Sequence, residues 1–145
     1  MYDRLLVPVD LGDISSLDNA LPVAAALATG ADAEVHVLTV VPTSGMAVVS
    51  SYLPEDYAQK ALEGARETLT KALEEKQALC GPATLKGHVA KGSVYQEIMH
   101  VADTLNCDAI VMTAHSPDLK DYLLGPNAAR VVRHAKQSVM VIRGD

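Results

Sequence analysis

The sequence predicts an α/β protein built on an open, five-stranded parallel sheet, order 3-2-1-4-5, with helices on both faces. Three observations carry this expectation. Five short apolar runs alternate with four longer segments of helical periodicity, and such alternation is what crossover units produce. The runs 5–9 and 109–112 are continuously apolar, as strands covered on both faces are. The run Leu85 to Ala90 is weaker, which places that strand at an edge. Right-handed crossovers then restrict the topology. At 145 residues the chain has the size of one domain, 1–145, with no internal repeat and no linker.

Taken in order, Leu5-Leu6-Val7-Pro8-Val9 is the first strand and ends at Asp10. The stretch from Leu11 to Ser16 reads as a loop and helix cap. Leu17, Ala20, Leu21, Ala24, Leu27 and Ala28 recur at helical spacing, with Pro22 expected to kink the helix and Gly30 to stop it. Ala33 to Val41 is the second strand, closed by Pro42, and residues 43–53 form a longer loop. Pro54-Glu55-Asp56 opens a helix to about Leu79, with Tyr57, Ala61, Ala65, Leu69, Ala72 and Leu73 on its apolar face and Glu63, Glu67, Glu74 and Glu75 on its wet face. Gly81-Pro82 closes it. After the third strand, Ser93 and Gln96 fit a capping box for a helix that buries Val94, Ile98, Val101, Ala102 and Leu105. Asp108 to Met112 is the fourth strand, Thr113 to Leu124 a loop, Gly125 to Ala135 a short helix, and Ser138 to Ile142 the last strand.

Composition narrows the function classes. The net charge is −6 with no Lys/Arg run, which disfavours DNA or RNA as a partner. Any positive potential for a small anion must be local. Phe and Trp are absent, so base stacking falls to five tyrosines. Cys80 and Cys107 lack zinc-site spacing and read as a reduced pair. The N-terminus has no signal-peptide pattern and no apolar run spans a bilayer, so the expected location is cytoplasmic, with no membrane partner.

In open α/β sheets ligands sit beyond the carboxyl ends of the strands, where strand order reverses. Here that point lies between strands one and four. Asp10 ends the first; Thr113, Ala114 and His115 end the fourth. Gly125, Pro126 and Asn127 open the last helix, whose N-terminal amides suit an anion.

The segments Val7-Pro8-Val9-Asp10, Ala33 to Val40, Gly92-Ser93-Val94 with Ile98, Asp108 to Met112, Tyr122 to Ala135 and Ser138 to Arg143 together resemble the universal stress protein family, across essentially the whole chain. The resemblance implies a Rossmann-like fold. It is nearest to short, single-domain members akin to the ATP-binding branch. In that branch a phosphate loop reads G-x-x-G, a spacer, then G-S/T. This sequence has Thr113 and Ser116 at the first two glycine positions, a spacer (Pro117 to Leu124) one residue shorter, Gly125 retained, and Pro126 at the Ser/Thr position. Proline has neither N–H nor hydroxyl. Up to two phosphate contacts are thereby removed, each worth about 1.5–3 kcal/mol if charge-assisted.

By the same resemblance Pro8, Val9 and Asp10 line the adenine and ribose side, Val40 or Val41 offers backbone groups to the adenine edge, and Met112 packs near the base or ribose. Thr113, Ala114, His115, Ser116, Gly125, Asn127 and Ala128 surround the phosphates. ATP, with Mg²⁺ held by its phosphates, is the implied ligand, and a homodimer or higher oligomer paired through strand 138–143 the implied assembly. Plainer roles stand beside these: Asp10 as a cap, His115 as a loop residue, Met112 as core, Lys120, Arg130 and Arg133 as solvated charges. His36, His88, His100 and His134 receive no function. Three functions remain open: a nucleotide-binding stress-response module, a member that has lost ATP and works through protein contacts, and a slow ATPase with Asp10 or His115 orienting water. The last is weakest, since no Walker lysine and no nucleophile-base set accompanies those residues.

Overall fold

A computed structural model describes residues 2–42, 56–114 and 124–143, the side chains of 124–126 excepted. Strand β1 (Arg4–Pro8) leads through a 3₁₀ segment (Leu11–Ser16) into helix α1 (Leu17–Leu27). Strand β2 (Glu34–Pro42) precedes α2 (Tyr57–Lys76), which a 3₁₀ turn (Gln77–Cys80) extends. There follow β3 (Thr84–Gly92), α3 (Val94–Thr104), β4 (Ala109–Ala114), α4 (Leu124–His134) and β5 (Ser138–Arg143). All pairings are parallel, in the order β3-β2-β1-β4-β5. The predicted order is therefore the observed one, and the weak third strand is an edge. No described helix is long and apolar enough to cross a membrane.

Strand alternation sorts the core into two layers. Leu5, Val7, Val9, Val35, Val37, Ala109 and Val111 face Leu17, Ala20, Leu21 and Ala24 of α1 and Leu69 and Leu73 of α2. Leu6, Leu38, Val40, Ile110 and Met112 face Val94, Ile98 and Ala102 of α3 and Ala128 and Val131 of α4. Cys80 belongs to the first layer and Cys107 to the second; both are buried free thiols. Burial, then the neighbouring charge of Asp108, pushes the Cys107 thiol up to about 11, so it stays protonated and unreactive at neutral pH.

Several local expectations are corrected. The helix α1 runs unbroken through Pro22, because Pro22 lies on the exposed face, where the carbonyl it leaves unbonded can reach water. It ends at Leu27 rather than at Gly30; the Tyr2 backbone intercepts the chain there, donating to the Leu27 carbonyl and accepting from the Thr29 N–H. Gly30 is instead a packing glycine, since a Cβ would stand 2.1 Å from Asp3 Oδ1. Tyr57 is exposed rather than on the buried face of α2. Thr113 and Ala114 belong to β4, paired with Ile142 and Arg143, and are not loop. Residues 43–53, His115 and Ser116 lie outside the described residues.

The stop of α3 had no glycine to announce it. Asn106 takes φ +56, the Asn106 N–H bonds the Asp103 carbonyl (3.2 Å), and the Cys107 N–H bonds the Ala102 carbonyl (2.8 Å). Those two bonds form a Schellman closure with asparagine in the left-handed position.

Ile110 is fully buried on β4, against both α3 and α4. Ile110→Ala should cost about 2–5 kcal/mol in urea unfolding, with an unchanged denaturant slope. A loss under 1 kcal/mol would mean that this layer is not close-packed.

Candidate functional site

The strand order reverses between β1 and β4, so the crevice of an open sheet falls beyond their carboxyl ends. The β1 side of that crevice is Pro8, Val9 and Asp10. Pro8 and Val9 are buried, and the Val9 N–H is bonded to the Leu38 carbonyl at 2.8 Å, which ties this corner to β2. Asp10 is half-buried and caps the following 3₁₀ segment, Oδ1 accepting from the Gly12 N–H at 2.9 Å. The cap reading of Asp10 is thus observed. A carboxylate so held is also oriented at the crevice mouth.

On the β4 side, Thr113 is buried at the strand end and Ala114 is half-buried. Met112 is fully buried in the layer beneath α3 and α4, so it stands as core. Val40 is buried in the same layer, and Val41 is half-buried one residue from the end of β2. The third wall is the first turn of α4, which carries Gly125, Pro126 and Asn127. Ala128 is buried against the layer below. Helix first turns leave their N–H groups without intrahelical partners. In this one Leu124 and Gly125 carry an N–H, and Pro126 does not.

Asn127 does more than its sequence position announced. Its Oδ1 accepts the Tyr95 N–H at 3.1 Å. Tyr95 is the second residue of α3, and Ser93, at the N-cap with extended backbone (φ −76, ψ 127), makes no side-chain cap bond. The expected capping box is therefore not formed; a carboxamide from α4 satisfies the orphan donor instead. Arg130 adds a guanidinium 5.2 Å from the Tyr95 ring centroid, and the His134 ring lies 6.3 Å from it. Arg130 is thus engaged with an aromatic face rather than simply solvated. The first turn of α4 is pinned to α3 by Asn127 and Arg130. Only the contact across the two helices, between residues 32 positions apart, reveals this pairing.

A cleft of 460 Å³ opens at the opposite, amino end of the sheet, lined by Asp3, Arg4, Ala31, Asp32, Asn106 and Asp108. Its three carboxylates oppose an anionic ligand, and Asp108 is already accepting the Asp3 and Arg4 N–H groups at 2.9 and 3.2 Å. It does not compete with the crevice for a phosphate.

Sheet order, crevice and helix terminus define a small doubly wound α/β protein with its candidate ligand site at the topological switch. The family model described as the universal stress protein family matches residues 1–143, and the chain belongs to that family. Universal stress protein G of Shigella flexneri is 30% identical, covering 99% of this chain and 100% of that protein. Among solved structures, hypothetical protein MJ0577 is 25% identical with TM-score 0.78, covering 100% of this chain and 98% of that one. The universal stress protein from Archaeoglobus fulgidus in complex with dAMP is 22% identical (TM-score 0.66), covering 97% of this chain and 98% of that one. A universal stress protein in complex with cAMP is 20% identical (TM-score 0.62), covering 97% and 96%.

The cap exchange predicts a specific asymmetry. Asn127→Ala should lower stability by about 0.5–2 kcal/mol, as losing an N-cap does, whereas Ser93→Ala should stay within about 0.5 kcal/mol of wild type. Urea unfolding of the two variants checks this; the reverse order would return the cap to Ser93.

Proposed function

We propose that the chain is a stress-response module that binds an adenine nucleotide in the crevice between β1 and β4, with ATP the expected ligand. The observation that carries this reading is the convergence of Pro8-Val9-Asp10, Thr113-Ala114 and the first turn of α4 at the reversal of strand order. The family relatives in complex with dAMP and cAMP support an adenine nucleotide. In the proposed arrangement the adenosine lies toward Pro8, Val9, Asp10 and the end of β2 at Val40 and Val41. The phosphates lie toward Thr113, Ala114, His115, Ser116, Gly125, Asn127 and Ala128. Among the described residues no group of three or more His, Cys, Asp or Glu side chains is placed to hold a metal ion, so Mg²⁺ would arrive on the phosphates.

The α4 donor set fits an anion, though with a reduced complement. Pro126 withholds one amide and one hydroxyl, while its fixed φ suits the first helical turn. The bond from the Tyr95 N–H to the Asn127 side chain fixes the turn in place before any ligand arrives. Pro126 also favours the second reading, a family member that has lost ATP and works through protein contacts. A homodimer through β5 belongs to the proposal; an outer strand, with Met140 45% exposed and Val132 of α4 52% exposed, supports it. So does a cytoplasmic setting, which two buried free thiols suit.

Protein purified without added nucleotide and then denatured should release ATP or ADP, and the apo form should bind Mg-ATP in calorimetry. Gly125→Arg should abolish that binding, and Pro126→Ser should tighten it by about tenfold, the equivalent of one charge-assisted hydrogen bond. No released nucleotide and no heat would favour the protein-contact reading. Unaltered affinity in Gly125→Arg would move the site away from α4.

A further inference from the structure

Two histidines that share no sequence motif meet across β2 and β3. His36 Nδ1 lies 2.8 Å from His88 Nε2, and His36 Nε2 lies 2.9 Å from Glu34 Oε2. His36 is only 3% exposed. Glu34 is fixed in turn by Lys86 of β3, whose Nζ is 3.0 Å from Oε1, and by Arg4 of β1 at 3.5 Å. The chain of contacts thus runs from β1 through β2 to the edge strand β3.

Proton counting gives this arrangement a property that an ordinary buried contact lacks. An ionised carboxylate only accepts, so His36 Nε2 carries a proton and donates it to Glu34. With both rings neutral, His36 Nδ1 is an acceptor and His88 Nε2 donates to it. With one positive charge on the pair, the N–H···N bond survives, because one of the facing nitrogens still has a lone pair. With two charges, N–H meets N–H at 2.8 Å between a buried ring and a half-buried one, and the bond becomes a repulsion.

We propose that the Glu34–His36–His88 chain is a proton-sensitive latch holding edge strand β3 to the sheet, and that a second charge on the histidine pair releases it. Release opens the groove between β3 and α3, a space of about 200 Å³ whose lining includes Leu38, His88, Val89, His100 and Val101. The charges around the pair set the window. Lys86 on β3, Arg4 on β1 and Glu34 on β2 flank it, and His100 on α3 shares the groove with His88. Burial, then the charge of His36 and of Lys86, holds the His88 imidazole below its ordinary 6.5. A lowered imidazole binds its proton more readily once exposed. Its contribution is therefore present above pH 6.5 and is lost as pH falls toward its folded value. Glu34 is held below its ordinary 4.5 by its bonds to His36 and Lys86, so its own loss comes only at more acid pH. The loss on the β3 side therefore comes from His88 before Glu34 takes part.

Amide hydrogen exchange of the full chain, corrected for the intrinsic pH dependence, tests the latch. Below pH 6.5 the protection of β3 amides should fall by up to about tenfold per pH unit, one proton's worth, relative to β1 and β4. In His88→Gln, which cannot take the charge, that differential pH dependence should vanish. If β3 and β1 keep the same ratio in wild type from pH 7 to 5, or if His88→Gln shows the wild-type slope, the latch is refuted. Histidine ¹⁵N spectra give a check without any variant: the His36 Nε2 proton should be present throughout and the N–H···N contact between the two rings should be lost as β3 loses protection, whereas a contact that persists while β3 opens would overturn the proposal.

Discussion

The structure depends on one constraint: β1 is hydrogen-bonded on both edges and covered on both faces, so beyond Arg4 at its amino end nothing on it can be solvated. Leu5, Val7 and Val9 fill one layer and Leu6 the other, between β2 and β4. The interior of such a strand, Leu5 to Pro8, is apolar at every residue, and polar groups are confined to its ends. Arg4 lies exposed at the amino end; Asp10 falls where the chain leaves the sheet, and its carboxylate turns the chain by capping the next segment. The carboxyl end is therefore where the central strand can present a polar group to the crevice.

The same constraint explains why the second half of the site comes from α4. From β1 the chain builds outward to β2 and β3, then crosses back to place β4 on the other side. The helices on either side of the reversal diverge, and a crevice remains. Four small or turn-forming residues, Gly125, Pro126, Asn127 and Ala128, bring the first turn of α4 over it. Asn127 connects that turn to α3 through Tyr95, so the first turn of α4 and the start of α3 form one hydrogen-bonded unit. The same helix α3 is also a wall of the groove beside His88.

Among the described residues the polar side chains buried within the sheet are His36 and Thr39 of β2 and Thr113 of β4. Thr113 ends β4, and His36 is satisfied by Glu34 on one nitrogen and His88 on the other. A histidine in the interior of β2 is tolerated because both ring nitrogens are paired; an unpaired one would carry a desolvation cost. The edge position of β3 supplies the partners, since Lys86 and His88 alternate with inward residues along a strand that can afford polar side chains.

Sequence alone determined the class of fold and the strand order, because uninterrupted apolar runs, amphipathic segments and a weak edge strand leave few packings. It also placed the crevice residues Pro8 to Asp10, Thr113, Ala114 and Gly125 to Ala128 at strand ends and a helix start. What it misjudged or left unassigned were effects of contact between distant residues. Gly30 reads as a stop but serves the close approach of Asp3; Ser93 reads as a cap, but Asn127 takes the donor; His36 and His88 read as scattered and form one chain of bonds. Local periodicity reports burial, which each residue experiences singly. Hydrogen-bond partners are chosen by register and helix docking, and only the tertiary structure decides those.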